Sequence, residues 1–376
     1  MSSTGTIYPS AKRHTVLVLP FTTYVFTNPT ILLPVIFATL AHSSYDSLTV
    51  VFSSPPEPAQ LYSLLKADAV THWEAFQEFL GKVYATLAAA QWRSGRVLMN
   101  VEVHFDGEEG DWKEKLPPKN ADSQTVILEG FSDLPINPEI KALLPGITSK
   151  IPHRAFPSLA PIIPSHDPGL PVIALGGTFD HLHAAHKLLL HLALFLTTRR
   201  LIVGIMSDSL LASKSNAKLV QPLSVRMDSV KRFLSRCGMG NVEMDVVEIH
   251  DPLGPTGWEK DIQGLVVSGE TRSGGEMVNL TRQERGLGEL QVFVVDVIAS
   301  QTVDQQDQED DLEVEKEDDD EGEITVRPRD RSESVMTLDL RSEVDEKRLK
   351  DLKLGSTAIR QWIADRGSHG DDSMTI

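Results

Sequence analysis

Ala174-Leu-Gly-Gly-Thr-Phe-Asp-His-Leu-His-Ala-Ala-His186 is the stretch whose reading decides the fold. The apolar run 172–175 reads as a buried strand, Gly176 and Gly177 end it, and a helical pattern follows over about 183–197. A strand that passes through a glycine turn straight into a helix is the opening unit of a doubly wound parallel sheet. Two glycines at that turn let backbone approach a ligand without a Cβ in the way. The helix start presents unpaired amides and the positive end of the dipole, which makes the corner an anion site. His183 and His186, three residues apart, share one face of that helix start. A zinc site built from His181, His183 and His186 is disfavoured, because a strand, a glycine pair and a helix start suit phosphate better.

Working outward, further apolar runs at 201–205, 242–249, 264–268 and 291–298 read as strands, with a helix over 224–236 between the first two. This is an α/β, Rossmann-like parallel sheet whose ligands bind at the carboxyl ends of the strands. Upstream, strand runs at 15–21, 48–52, 98–103 and 125–128 alternate with helical patterns at 59–66 and 73–92. That alternation predicts a second α/β layer, in which no catalytic constellation is visible. Six prolines between 151 and 171 predict a linker. The expected organisation is an N-terminal α/β domain of unknown role over 1–150, a linker over 151–171 and a nucleotide-handling domain over 172–300. An insert follows over 301–340, then a C-terminal return of that domain over 341–366 and a flexible tail over 367–376.

The 376 residues carry a formal charge of −17. The run 304–323, with 13 acidic residues and one lysine, carries −12 of it, so the other 356 residues carry only −5. Such a chain lacks the basic footprint that nucleic-acid binding needs. The acidic run has too little apolar surface to fold and is expected to be a disordered, solvated tether. The stretch 15–41 is apolar but interrupted by Pro29, Pro34 and several polar residues, too broken for a span of about 20 apolar residues. A strand feeding a helix with Asn28 as N-cap and Pro29 at its first position explains the same letters. Cys237 is the single cysteine, which excludes a disulfide scaffold. It is expected to be a bystander without metal-ligand companions. The reading is a soluble, cytoplasmic protein with no membrane partner.

Gly176-Gly-Thr-Phe-Asp180 followed by His183 and His186 resembles the signature of the nucleotidyltransferase superfamily. Other segments narrow the resemblance to the eukaryotic, fungal-type phosphopantetheine adenylyltransferases. They are Ser213-Lys214 with Gln221-Pro222, Asp251-Pro-Leu-Gly-Pro255, Val266-Val-Ser-Gly-Glu-Thr271 and Gly355-Ser-Thr-Ala-Ile-Arg360. Ala185 stands where bacterial members have Gly and the eukaryotic pattern accepts Ala; Gly269 stands where an acidic residue is usual, Gly355 replaces the first Ser of the last segment, and Arg272 is one place from the usual arginine.

The resemblance implies transfer of AMP from ATP to 4′-phosphopantetheine, giving dephospho-coenzyme A and pyrophosphate. It implies His186, Lys214 and Arg360 as the catalytic groups. Gly176, Gly177, Thr178, Phe179, Asp180, His183, Glu270, Arg272, Ser356 and Thr357 would line the substrate site. Mg²⁺ would ride on the ATP phosphates with no protein metal cluster, and other enzymes of coenzyme A synthesis are the protein partners this reading admits. The competing readings are a nicotinamide-mononucleotide adenylyltransferase and a nucleotide-binding scaffold without catalysis; a cytidylyltransferase lacks its usual segment here. Taken singly, several residues have plainer roles. His181 is expected to be solvent-facing or hydrogen-bonded, His191 to be packing, Lys218 to be a surface lysine, and Arg282 and Arg285 to make surface ion pairs. Asp251–Pro255 reads as a rigid turn bordering the nucleotide.

Overall fold

The computed structural model describes residues 12–54, 60–108, 110, 113–114, 123–129, 147–150, 169–238, 241–295 and 355–367. The acidic run, most of the proline-rich stretch, the part 341–354 of the expected C-terminal return and the part 368–376 of the expected tail lie outside the described residues.

The first half builds a five-stranded sheet from β1 (Lys12–Pro20), β2 (Ser44–Ser53), β3 (Asn100–Phe105), β4 (Ser123–Glu129) and β5 (Ile147–Lys150). Its order is β3-β2-β1-β4-β5, and every pair is parallel. Val16–Leu19 are buried on both faces of the central strand, the continuous apolar run a covered parallel sheet requires. Helices α1 (Thr23–Thr27), α2 (Leu33–Ser43), α3 (Leu61–Ala67) and α4 (Trp73–Arg93) connect these strands. Asn28 does not cap a long helix as the sequence suggests. Its side chain donates to Tyr24 O and Thr27 Oγ1, and Pro29 opens a short 3-10 turn. Thr22 is the capping residue, accepting from Val25 N at 3.3 Å.

The second half repeats the plan with β6 (Leu170–Gly177), β7 (Thr197–Met206), β8 (Glu243–Ile249), β9 (Gly264–Ser268) and β10 (Gln291–Val295). The order is β10-β9-β6-β7-β8, again parallel throughout. Helices α5 (Ala184–Leu196), α6 (Leu223–Cys237) and α7 (Arg272–Glu284) belong to this half, and α8 (Ser356–Gly367) returns to it from the far C-terminus. Pro171, read as linker, lies inside β6, at a register irregularity where it need donate no ladder bond. In both sheets the first strand is central and the chain reverses direction beside it, between β1 and β4 and between β6 and β9. Ligands of such sheets bind at that reversal, beyond the carboxyl ends of the strands.

The two halves share one apolar core. Phe76 on α4 stacks on Phe195 of α5 with ring centroids 4.1 Å apart, and Trp73 meets Phe293 of β10 edge-on at 5.2 Å.

Candidate active site

The site grows from the carboxyl end of β6. Gly176 is exposed there, and Gly177 lies tight against Phe179, where a Cβ would stand 3.0 Å from the ring. Two of the following residues, Phe179 (φ 51°) and His181 (φ 45°), occupy left-handed backbone that side chains disfavour. Such strain costs of order 1–3 kcal/mol per residue and persists only where the surroundings hold it.

The surroundings are a lattice of buried polar bonds. Asp180, fully buried, accepts from Gln221 N at 2.8 Å with one oxygen and from Arg360 Nη1 at 2.7 Å with the other. Gln221 returns the contact, its Oε1 accepting from His181 N at 2.8 Å. His181 is hydrogen-bonded, with Nε2 2.9 Å from Leu219 O. Arg226, wholly buried near the start of α6, donates to Thr178 O, Met206 O and Gln221 O and pairs with Asp208 at 2.6 Å. The strained turn is therefore clamped at its carbonyls, its amide and its carboxylate.

On this frame stand the two histidines. His183 is the N-cap residue of α5 and His186 lies in the first turn, their rings stacked 3.8 Å apart at 23°. Phe179 packs against His186 with centroids 5.2 Å apart. Burial lowers the His186 pKa to about 4, with His181 adding to the fall and Asp180 opposing it. Burial, then neighbouring His186 and Lys187, hold His183 well below the usual histidine range. Both rings are thus neutral near pH 7, and both Nδ1 atoms are buried without a hydrogen-bond partner among the described residues. The opposite nitrogen of each ring is Nε2. In His183 it lies 3.3 Å from Ser356 Oγ, and that hydroxyl donates to Asp180 O at 3.1 Å.

The expected site residues divide into three groups. Gly177, Thr178, His183, His186 and Ser356 gather around the start of α5, with Gly176 exposed at the strand end. Phe179, Asp180 and Arg360 belong to the same cluster but lie beneath it, each at most 2% exposed. Arg360 in particular is turned inward: beyond Asp180 it donates to Ser215 O at 2.9 Å and to Thr357 Oγ1 at 3.2 Å. Its fork joins α8 to the strained turn. Thr357 and Lys214 are exposed, as are Glu270 and Arg272 at the carboxyl end of β9, the neighbour of β6.

Several sequence expectations change. Arg282 makes no surface ion pair; it is fully buried and donates to Gly288 O, Thr256 O and Glu259 O, while Arg285 donates to Gly257 O. Asp251 builds the foreseen rigid turn, accepting from Leu253 N and Gly254 N. Cys237 does have metal-ligand companions: His104 and Glu108 place ligand atoms within 4.8 Å of it, all three residues buried. They are already hydrogen-bonded, with His104 Nδ1 3.0 Å from Glu108 and Nε2 3.1 Å from Glu102, beside the cations Arg236 and Lys187. Arg226 and Gln221 were not foreseen as scaffold. The signal for Arg226 is its place four and seven residues before Val230 and Phe233, on the buried face of α6.

Comparison with known proteins gives the family. Residues 174–305 match the family described as cytidylyltransferase-like. The chain is 35% identical over 230 residues to a phosphopantetheine adenylyltransferase of Saccharomyces cerevisiae, covering 60% of this chain and 72% of that protein. It is 35% identical over 126 residues to a phosphopantetheine adenylyltransferase of Pyrobaculum aerophilum, 34% of this chain and 79% of the other. For that of Thermococcus gammatolerans the identity is 34% over 128 residues, with 34% and 79% covered. Sharing 35% identity over 72% of the yeast protein, the chain belongs to the phosphopantetheine adenylyltransferase family of nucleotidyltransferases.

Proposed function

We propose that the cluster at the start of α5 joins the phosphate of 4′-phosphopantetheine to the α-phosphorus of ATP, releasing pyrophosphate and forming dephospho-coenzyme A. The observation that carries the reading is the pair of neutral, stacked histidines at a helix N-terminus beside an exposed glycine strand end. The nucleophile is already a phosphate anion, so no protein base is required. What remains is to hold two anions together and to meet the charge that develops at the α-phosphorus.

Nε2 of His186 and His183 donates to phosphate oxygens without adding a fixed positive charge, while the amides of α5 supply the positive end of the dipole. Thr178 and Lys214 hold the reacting phosphates. Ser356 and Thr357 at the start of α8 receive the β- and γ-phosphates, and Glu270 and Arg272 border the nucleotide from β9. Arg360 acts as the strut that aligns these two helix starts, through Asp180.

Mg²⁺ fits this arrangement as a passenger of the nucleotide. Asp180, the carboxylate of the turn, has both oxygens committed to Gln221 and Arg360. When bound, the ion supplies charge neutralisation on the phosphates. The lone buried thiol supports a cytoplasmic setting, because reducing conditions suit it, and no described helix is long and apolar enough to cross a membrane.

The test is pyrophosphate release by the full chain, offered ATP with phosphopantetheine or with nicotinamide mononucleotide. Turnover with phosphopantetheine is expected. Turnover with nicotinamide mononucleotide alone would replace the proposed acceptor.

A further inference from the structure

We infer that the first sheet and its helices act as a splint for α5, with Lys66, Asn100 and Glu108 as positioning residues for His183 and His186. The inference rests on the reaction proposed above.

Three anchors run along one helix. At its start, Lys187, the residue after His186, is 3% exposed and donates to Asn100 Oδ1 at 2.6 Å and Val101 O at 2.7 Å, both on β3. At its middle, His191 Nε2 lies 2.8 Å from Glu108 Oε1, both side chains fully buried. At its end, Lys66 of α3 donates to Leu194 O, Phe195 O and Thr197 O at 2.7, 2.6 and 2.7 Å. These carbonyls stand at the C-terminal end of α5, the negative end of its dipole, where Leu194 O also accepts from Thr197 N. A rigid rod of 13 residues, about 20 Å long, is thereby pinned at both ends and the centre.

Cohesion alone does not call for such anchors. The aromatic stack of Phe76 on Phe195 already joins the halves, and apolar contacts tolerate sliding. Hydrogen bonds to buried charged groups are directional, and they fix one register of α5 against β3. Glu108 is built to stay ionised there: burial pushes its pKa up, but the bonds from His104 and His191 outweigh that and hold it below the ordinary carboxylate value. The anchored helix carries the reacting histidines at its first turn, where a displacement near 1 Å is enough to lose as much as two decades of rate.

The experiment uses the full chain with Lys66→Met, Lys66→Arg, Asn100→Ala and Glu108→Gln, assayed at 20 °C. Positioning predicts that kcat falls about tenfold for Lys66→Met and Glu108→Gln and about threefold for Asn100→Ala, with KM for ATP within about threefold of the parent. Lys66→Arg, which keeps the cation, is expected to recover most of the loss. A kcat within twofold of the parent in Lys66→Met and Asn100→Ala would overturn the splint, whatever their melting temperatures. Asn100 is exposed, so Asn100→Ala is the variant expected to cost the fold least, and it decides the matter even where a buried substitution does not. Should the parent itself release no pyrophosphate, the proposed reaction falls. Hydrogen exchange then tests the splint without substrate: amides 187–191 are expected to exchange at least about tenfold faster in Lys66→Met. Unchanged exchange there would overturn it.

Discussion

The two sheets follow one strand order and end differently. At the carboxyl edge of the first, Phe21, Phe52 and Phe105 close on one another with ring centroids 4.9–5.7 Å apart, all fully buried. At the matching edge of the second stand Gly176 and Gly177 on β6 and Gly204 on β7, beside Phe179 and Ile249, with His183 and His186 at the helix start that follows. A doubly wound sheet offers a crevice at that edge by topology alone. Whether it becomes a site depends on whether the sequence fills it with rings or leaves it to backbone and polar groups. The first edge is filled with rings; the second carries the glycine strand end and the expected site residues.

Four experiments press on that contrast. The largest effect is expected at the open edge. His186→Ala should lower turnover by roughly two to four decades, about 3–5 kcal/mol of transition-state stabilisation by comparison with lost oxyanion donors. The corresponding change at the filled edge, Phe52→Ala, should lower stability by about 3–5 kcal/mol yet leave kcat within about twofold at a temperature where the protein stays folded. Turnover measured for both variants breaks the contrast if they lose rate alike.

Arg360 gives the next effect. Replacing it with Leu strands Asp180 as a buried, unpaired carboxylate, so stability without any nucleotide should fall by about 3–5 kcal/mol in urea melts. An arginine that served phosphate alone would leave ligand-free stability nearly unchanged.

The paired histidines make stability depend on acid. An unfolded imidazole takes up its proton near 6.5, but folded His186 does so only near 4. Through that window the unfolded state binds more protons, so stability should drop as pH falls from about 6.5 towards 4, by up to about 1.4 kcal/mol per pH unit for each such histidine. His186→Phe should flatten the slope in chemical denaturation followed against pH.

The smallest effect is at Gly355, before α8, where an added Cβ meets nothing within 4 Å. Gly355→Ser supplies the hydroxyl the family pattern has there, and should raise the melting temperature slightly through a gain of a few tenths of a kcal/mol in capping.

The strands were largely legible because buried parallel strands write themselves as short apolar runs; β9 is the foreseen 264–268 to the residue. β5 was missed because Ile147–Lys150 is four residues with little apolar content. The strand, glycine pair and histidine pair were legible because they are contiguous. The inward turn of Arg360 was not, since the letters show five donors and conceal an acceptor 180 residues away. The anchors of α5 were hidden for the same reason: Lys66 lies 128 to 131 residues before the carbonyls it caps. Arg226 and Arg282 show what a reader can watch for, an arginine standing on the apolar face of its helix. Such a side chain is buried to bind backbone, where an isolated reading sees a surface charge.

Of the two edges, the glycine edge is the one expected to handle nucleotide. Hydrogen exchange of the full chain with and without Mg-ATP tests it directly. Protection is predicted over 174–187 and 355–362, with 20–26, 52–54 and 104–108 unchanged. Protection at the phenylalanine-filled edge, with none at the glycine turn, would move the nucleotide to the first sheet.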